Sequence, residues 1–192
     1  MFLPSLLLLA ADWSQFRGPN ASGVATGAVV TEFGPHKNVV WKTALPMGKS
    51  SPALAGDRIY VSGWDADRLL TLALDRASGR VLWRREIRAP RSEVLHKLNE
   101  PSSASPVSDG SNVYVFFGNF GLVSYGPDGN ERWRIPLGPF TNLHGMAASP
   151  VLAGGKVLLV CDQDSGSFLL AVDRDTGRVA WKVERDTPHG FS

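Results

Sequence analysis

One cysteine in 192 residues, Cys161, excludes an internal disulfide and any zinc site built on several thiolates. A lone thiol of this kind reads as a core residue. Charge of either sign is equally scarce as a cluster. Lys plus Arg number 20 against 18 Asp plus Glu, for a net charge of +2, and the basic residues are scattered. That pattern excludes a nucleic-acid stripe and a polybasic membrane anchor. No apolar run is long enough to cross a bilayer as a helix; the longest, Phe2 to Ala11, falls well short. Nucleophile elbow, phosphate loop and His-Glu-x-x-His patterns are all missing, and only four histidines are available as ligands or bases. What the chain has in quantity is turn residues, 20 Gly and 13 Pro without a Gly-X-Y period, beside 43% hydrophobic content. Many short strands joined by tight turns around a buried core satisfy that composition, so an all-β fold is expected.

The apolar opening, MFLPSLLLLAAD, reads as an abbreviated signal peptide over residues 1–11, cleaved near Ala11, although its only positive charge before Asp12 is the α-amino group. A buried first strand or a start set too early is the alternative. On the signal-peptide reading the mature chain is exported, to the periplasm or the cell surface.

Four tryptophans set the register of the remainder. Trp41, Trp83, Trp133 and Trp181 stand 42, 50 and 48 residues apart, and each is followed by a basic residue and a short extended segment. Ahead of the last three, the same parts recur in the same order. A Ser-Pro step (Ser51-Pro52, Ser105-Pro106, Ser149-Pro150) precedes a β-branched strand; a Gly/Asp/Asn turn, a second apolar run and a Gly-bearing turn then lead to the Trp strand. The apolar runs are nearly continuous, as in sheets covered on both faces. A period of 42 to 50 residues with about four strands per unit describes the blade of a β-propeller. A sandwich would supply short strands but not the period. Three blades are expected, at about 51–87, 105–137 and 149–185, with a further outer strand at 39–45.

Two of these units carry a fuller signature. Ala73-Leu74-Asp75-Arg76-Ala77-Ser78-Gly79-Arg80-Val81-Leu82-Trp83 and Ala171-Val172-Asp173-Arg174-Asp175-Thr176-Gly177-Arg178-Val179-Ala180-Trp181 share the pattern Ala-x-Asp-x-x-x-Gly-x-x-x-Trp. The middle copy, which ends in Trp133, is one residue shorter and has Gly126 in place of the Asp. The pattern resembles the tryptophan-docking motif of the pyrroloquinoline-quinone-like propellers, the quinoprotein alcohol dehydrogenase-like superfamily. The opening Trp13-Ser14-Gln15-Phe16-Arg17-Gly18-Pro19 is similar to that of its exported bacterial members. Ala73, Asp75, Gly79, Trp83, Trp133, Ala171, Asp173, Gly177 and Trp181 are thereby expected to be structural. The small Ala leaves room for an indole, the Asp bonds turn amides, the Gly supplies positive φ, and the Trp staples adjacent blades. The resemblance implies a ring of seven or eight blades, well over 300 residues at about 45 per blade. The chain is therefore expected to be a fragment whose ring is closed by missing blades or another chain, and to be aggregation-prone or self-associating when alone.

The same resemblance implies two functional classes. One is a non-catalytic binding or scaffolding module for a protein or small ligand, with no cofactor. The other is part of a quinoprotein oxidoreductase, which needs the quinone (PQQ), calcium with oxygen ligands and a carboxylate base. The adjacent Cys-Cys disulfide of its alcohol-oxidising members is ruled out here by the single cysteine. No catalytic residue and no metal centre are assigned. His96, Asn99, Glu100, His144 and His189 precede blade starts, where loops face the central channel, and are the candidate ligand-binding residues. Asp65-Ala66-Asp67 and Asp162-Gln163-Asp164-Ser165-Gly166 occupy equivalent turns; the second is similar to part of a calcium loop but lacks its remainder, so both are read as turns.

Overall fold

The structure, a computed structural model, describes residues 12–27 and 30–187; the signal-peptide reading and His189 lie outside the described residues. Twelve strands form three four-stranded antiparallel meanders. The first holds β1 (Ala53–Ala55), β2 (Arg58–Asp65), β3 (Arg68–Asp75) and β4 (Val81–Arg88). The second holds β5 (Val107–Ser108), β6 (Val113–Phe117), β7 (Gly121–Tyr125) and β8 (Glu131–Pro136). The third holds β9 (Val151–Ala153), β10 (Lys156–Cys161), β11 (Phe168–Asp173) and β12 (Val179–Glu184). One 3-10 turn, Pro19–Ala21, is the only helical element among the described residues.

Burial follows from which faces are covered. All five residues of β6 are buried, because the middle sheet packs a neighbour on each side. On one side Tyr114, Phe116, Leu122 and Trp133 meet Val157, Leu159, Leu170 and Val172 of the third sheet. On the other Val113, Val115, Val123 and Tyr125 meet Tyr60, Leu69, Ala73 and Trp83 of the first. In β10, by contrast, burial alternates, and every residue of β12 is exposed. The outward face of the third sheet, with Leu158, Val160, Leu169, Trp181 and Val183 in register, has no described neighbour.

Two sets of hydrogen bonds hold blade to blade. At the rim, each indole donates to a carbonyl in the next turn: Trp41 Nε1 to Arg76 O at 3.0 Å, Trp83 Nε1 to Pro127 O at 2.8 Å, Trp133 Nε1 to Arg174 O at 2.9 Å. Beneath each ring sits a glycine in the left-handed region, Gly79, Gly129 and Gly177, with φ of 72°, 74° and 72°. A Cβ on Gly177 would lie 2.7 Å from the Trp133 ring, so close approach and backbone conformation both demand glycine. Near the axis, the amide of Ser51 donates to Ser105 Oγ and that of Ser105 to Ser149 Oγ, both at 2.9 Å. The Ser-Pro steps that mark the repeat in sequence are therefore latches between successive blades.

The aspartates of the two fuller motifs bond groups within their own turns. Asp75 accepts the Ser78 amide at 2.7 Å, and Asp173 accepts the Thr176 amide at 2.9 Å and its hydroxyl at 2.8 Å. These bonds, foremost those from the Ser78 and Thr176 side chains, hold both carboxyls below the ordinary range. Ala73 and Ala171 lie directly opposite Trp83 and Trp181 of their own sheets, as Ser124 lies opposite Trp133. A register shift follows each small residue at the same point in all three sheets. The shorter middle turn still docks Trp83, because the acceptor is a main-chain carbonyl and the missing Asp is not part of it.

The expected outer strand at 39–45 is corrected in part. Trp41 docks on the Gly79 turn and Thr43 Oγ1 bonds Gly79 O at 2.7 Å, yet residues 39–45 join no ladder among the described residues. Extended backbone becomes a strand only beside another strand, and none of the described strands lies there.

Trp83 and Trp133 are each 8% exposed whereas Trp181 is 39% exposed. Trp133→Ala should therefore cost about 3–5 kcal/mol and Trp181→Ala about 1 kcal/mol or less, as urea denaturation of the two variants will measure.

Candidate functional site

The meander assigns its connections to two faces of the arc. Docking turns lie on one face. On the other lie the β2–β3, β6–β7 and β10–β11 hairpins, and the long connections 89–106 and 137–150 that carry the chain to the next blade. Backbone bonds tie each connection to the hairpin beside it: Ala89 N to Asp67 O at 2.7 Å, Leu137 N to Phe120 O at 2.9 Å.

The two connections meet. His96 and His144 pack edge to face with ring centroids 5.3 Å apart, and Asn99 Nδ2 donates to His144 O at 2.7 Å. Asn142 Oδ1 in turn accepts the His144 amide at 2.9 Å, which fixes the loop around that histidine. A cavity of about 600 Å³ opens between them, lined by Lys49, His96, Asn99, Asn142, His144 and Asp162 among others. Three of the residues singled out in the sequence, His96, Asn99 and His144, thus line one cavity. Glu100 does not: it turns to an adjoining cavity, where it accepts the Trp64 Nε1 proton at 3.2 Å and pairs with Lys49 at 3.4 Å.

Sequence reasoning missed Lys49, Asn142 and Met146, which also line the larger cavity. Lys49 stands just ahead of a Ser-Pro step and Asn142 two residues before His144, so the blade-start rule that found the histidines reaches both. Asp162, in the segment similar to a calcium loop, is 8% exposed and forms a two-pronged pair with Arg185 at 2.7 and 3.2 Å. Its charge is thus spent on holding the β10–β11 hairpin to the end of β12. Burial pushes the Cys161 thiol up to about 12, which leaves it inert as a nucleophile.

No three His, Cys, Asp or Glu side chains among the described residues lie close enough together to hold a metal ion. A quinone and calcium centre needs several converging oxygen donors. The carboxylates on the two cavities are Asp162, bound to Arg185, Glu100, bound to Lys49 and Trp64, Asp67, paired with Arg88, and Glu93, and they do not converge on one point. The described residues do not compose such a centre by themselves.

Three antiparallel four-stranded blades, latched at rim and axis, define an arc of a propeller. A family profile described as outer membrane protein assembly factor BamB, of the PQQ-like repeat, matches residues 71–191, and the chain belongs to that family. Among solved structures, a quinohemoprotein alcohol dehydrogenase from Pseudomonas putida HK5 is similar over 77% of this chain and 22% of its own, at 19% identity and a TM-score of 0.61. A europium-containing methanol dehydrogenase matches over 73% and 25% at 16% identity and a TM-score of 0.54. BamB from Moraxella catarrhalis matches over 79% and 44% at 16% identity and a TM-score of 0.53. At these identities the likeness is one of fold, and the chain spans less than half the length of each. No curated protein matches in sequence. No helix among the described residues is long and apolar enough to cross a membrane.

The first long connection also carries Glu93, whose carboxyl rests against Gly118 in the β6–β7 hairpin. Burial pushes this carboxyl up to about 7, against the opposing pull of the neighbouring Arg91 guanidinium. A raised carboxyl favours the protonated form in the folded state. Its contribution is fully present below its ordinary pKa of 4.5 and is lost as pH rises through about 7. The Tm of the wild type should fall between pH 5 and pH 8, and Glu93→Gln should flatten that fall.

Proposed function

We propose that this chain is a non-catalytic binding or scaffolding module of an exported bacterial protein, part of a larger ring, which recruits a protein or a small ligand on its long-loop face. The observation that carries this reading is the meeting of connections 89–106 and 137–150 around one cavity, with His96, Asn99 and His144 on its wall. Loops fixed by a rigid scaffold bind without paying to order themselves. The open face of the third sheet supports the expectation that further blades or another chain complete the ring. The family's description as an outer membrane protein assembly factor agrees with a scaffolding role and with export.

A second reading, part of a quinoprotein oxidoreductase, draws on the fold likeness to the two dehydrogenases. Adding PQQ and calcium to the complete native protein separates the two. A calcium-dependent visible absorbance supports the oxidoreductase; its absence with the ring complete supports the scaffold.

On the scaffolding reading, His96→Ala combined with His144→Ala in the complete protein should weaken capture of its exported-fraction partner or ligand by about tenfold, roughly 1.4 kcal/mol, while Tm stays within a few degrees. Unchanged capture by the double variant removes the cavity from the reading.

A further inference from the structure

The side-chain acceptors on the wall of the larger cavity, of about 600 Å³, already hold donors of the chain itself. Asn99 Oδ1 takes the Glu100 amide at 2.8 Å, and Asn142 Oδ1 takes the His144 amide at 2.9 Å. Asp162 is the one carboxylate among the lining residues, and both its oxygens take the Arg185 guanidinium, at 2.7 and 3.2 Å. His96 Nδ1 takes the Leu98 amide at 3.2 Å. A neutral imidazole has one donor and one acceptor nitrogen, so this bond places the His96 proton on Nε2.

What remains is a set of donors. His96 is half-buried, and its Nε2–H has no partner among the described residues. Ser103 Oγ accepts the Glu100 amide at 3.0 Å and keeps its own proton to give. Of the three N–H groups of Lys49, one donates to Leu98 O at 3.1 Å and one faces Glu100 at 3.4 Å, which leaves the third. The Lys49 side chain is 42% exposed, so a ligand can reach it. Much of the remaining wall is apolar, with Leu98, Met146, Ala147, Ala148 and Val160. A ligand that only donated hydrogen bonds would meet acceptors already engaged; one that accepts them meets three open donors beside an apolar surface.

We propose that this cavity binds an apolar group ending in a carboxylate, with the carboxylate on Lys49, His96 and Ser103 and the apolar part against Met146, Ala148 and Val160. A carboxylate only accepts, and its two oxygens take several donors at once. Its bond from an ammonium is roughly twice as strong as one between neutral groups. Pockets for small ligands combine an apolar wall with a few polar groups in this way, and 600 Å³ falls within their size range. The proposal rests on the reading that this cavity is the binding site, and adds the chemistry of what it binds. The free C-terminus of a partner polypeptide and a small carboxylic acid both offer that chemistry.

The test is isothermal titration of the complete native protein with hexanoate, its neutral counterpart hexanamide and its cationic counterpart hexylammonium. An N-acetylated apolar tetrapeptide, with a free or an amidated C-terminus, completes the set. Hexanoate should bind saturably and about tenfold or more tightly than hexanamide or hexylammonium. Lys49→Met and His96→Phe should each weaken it about fivefold or more with Tm retained, and added salt should weaken it further. A free-ended peptide that binds more tightly than hexanoate, while its amidated form does not bind, identifies a polypeptide terminus as the source; hexanoate as the tighter of the two identifies a small acid. No saturable binding of either carboxylate, hexanamide or hexylammonium binding as tightly as hexanoate, or carboxylate binding indifferent to both Lys49→Met and His96→Phe would overturn the proposal. Partner capture that is still lost with His96→Ala and His144→Ala would then leave the scaffolding reading standing. Conversely, carboxylate binding beside capture that survives that double variant removes the cavity from the scaffolding reading and leaves this site in place.

Discussion

Everything in this arc depends on a tryptophan ring lying flat on a glycine of the next blade. The contact joins elements about 40 residues apart in sequence and needs three things together: a side chain large enough to bridge two sheets, a turn with no Cβ beneath the ring, and a carbonyl for the indole N–H. Each blade alone exposes two apolar faces and would not be stable, so the staple is what turns separate meanders into one core. The serine latches near the axis repeat the same logic with smaller groups. Rim and axis together fix both the spacing and the angle between blades, and the loops on the far face inherit that rigidity.

The rim was readable in the sequence because its requirements are written in rare residue types. Tryptophan at a period of 42 to 50 and glycine four residues before it leave few alternative folds. The axis was not readable in the same way. Serine before proline is a common turn signal, and nothing local reveals that a hydroxyl 44 or 54 residues onward accepts its neighbour's amide. Residues 39–45 show the two kinds of information separating: the repeat marks Trp41, whose indole the structure docks on the Gly79 turn, while strand pairing needs a neighbour that local sequence cannot supply.

The same distinction governs the candidate sites. His96 and His144 were visible because each precedes a blade start, a position defined by the repeat. Glu93 belongs to no repeated position: it sits in an irregular connection, and only packing brings it onto Gly118. Asp162 is the converse case, a residue with the look of a ligand whose charge the fold consumes internally through Arg185.

The two ends of the arc are not alike. At one, the Gly79 turn already carries its own chain's Trp41; at the other, no turn among the described residues covers Trp181. Were both ends open, copies could add head to tail without limit, as heterologous contacts that do not close give filaments. Here the chain plugs its own socket, so the arc has a direction: it offers a knob and withholds the hole. Whatever covers Trp181 must bring a glycine turn of its own, and a second copy of these described residues has none to spare.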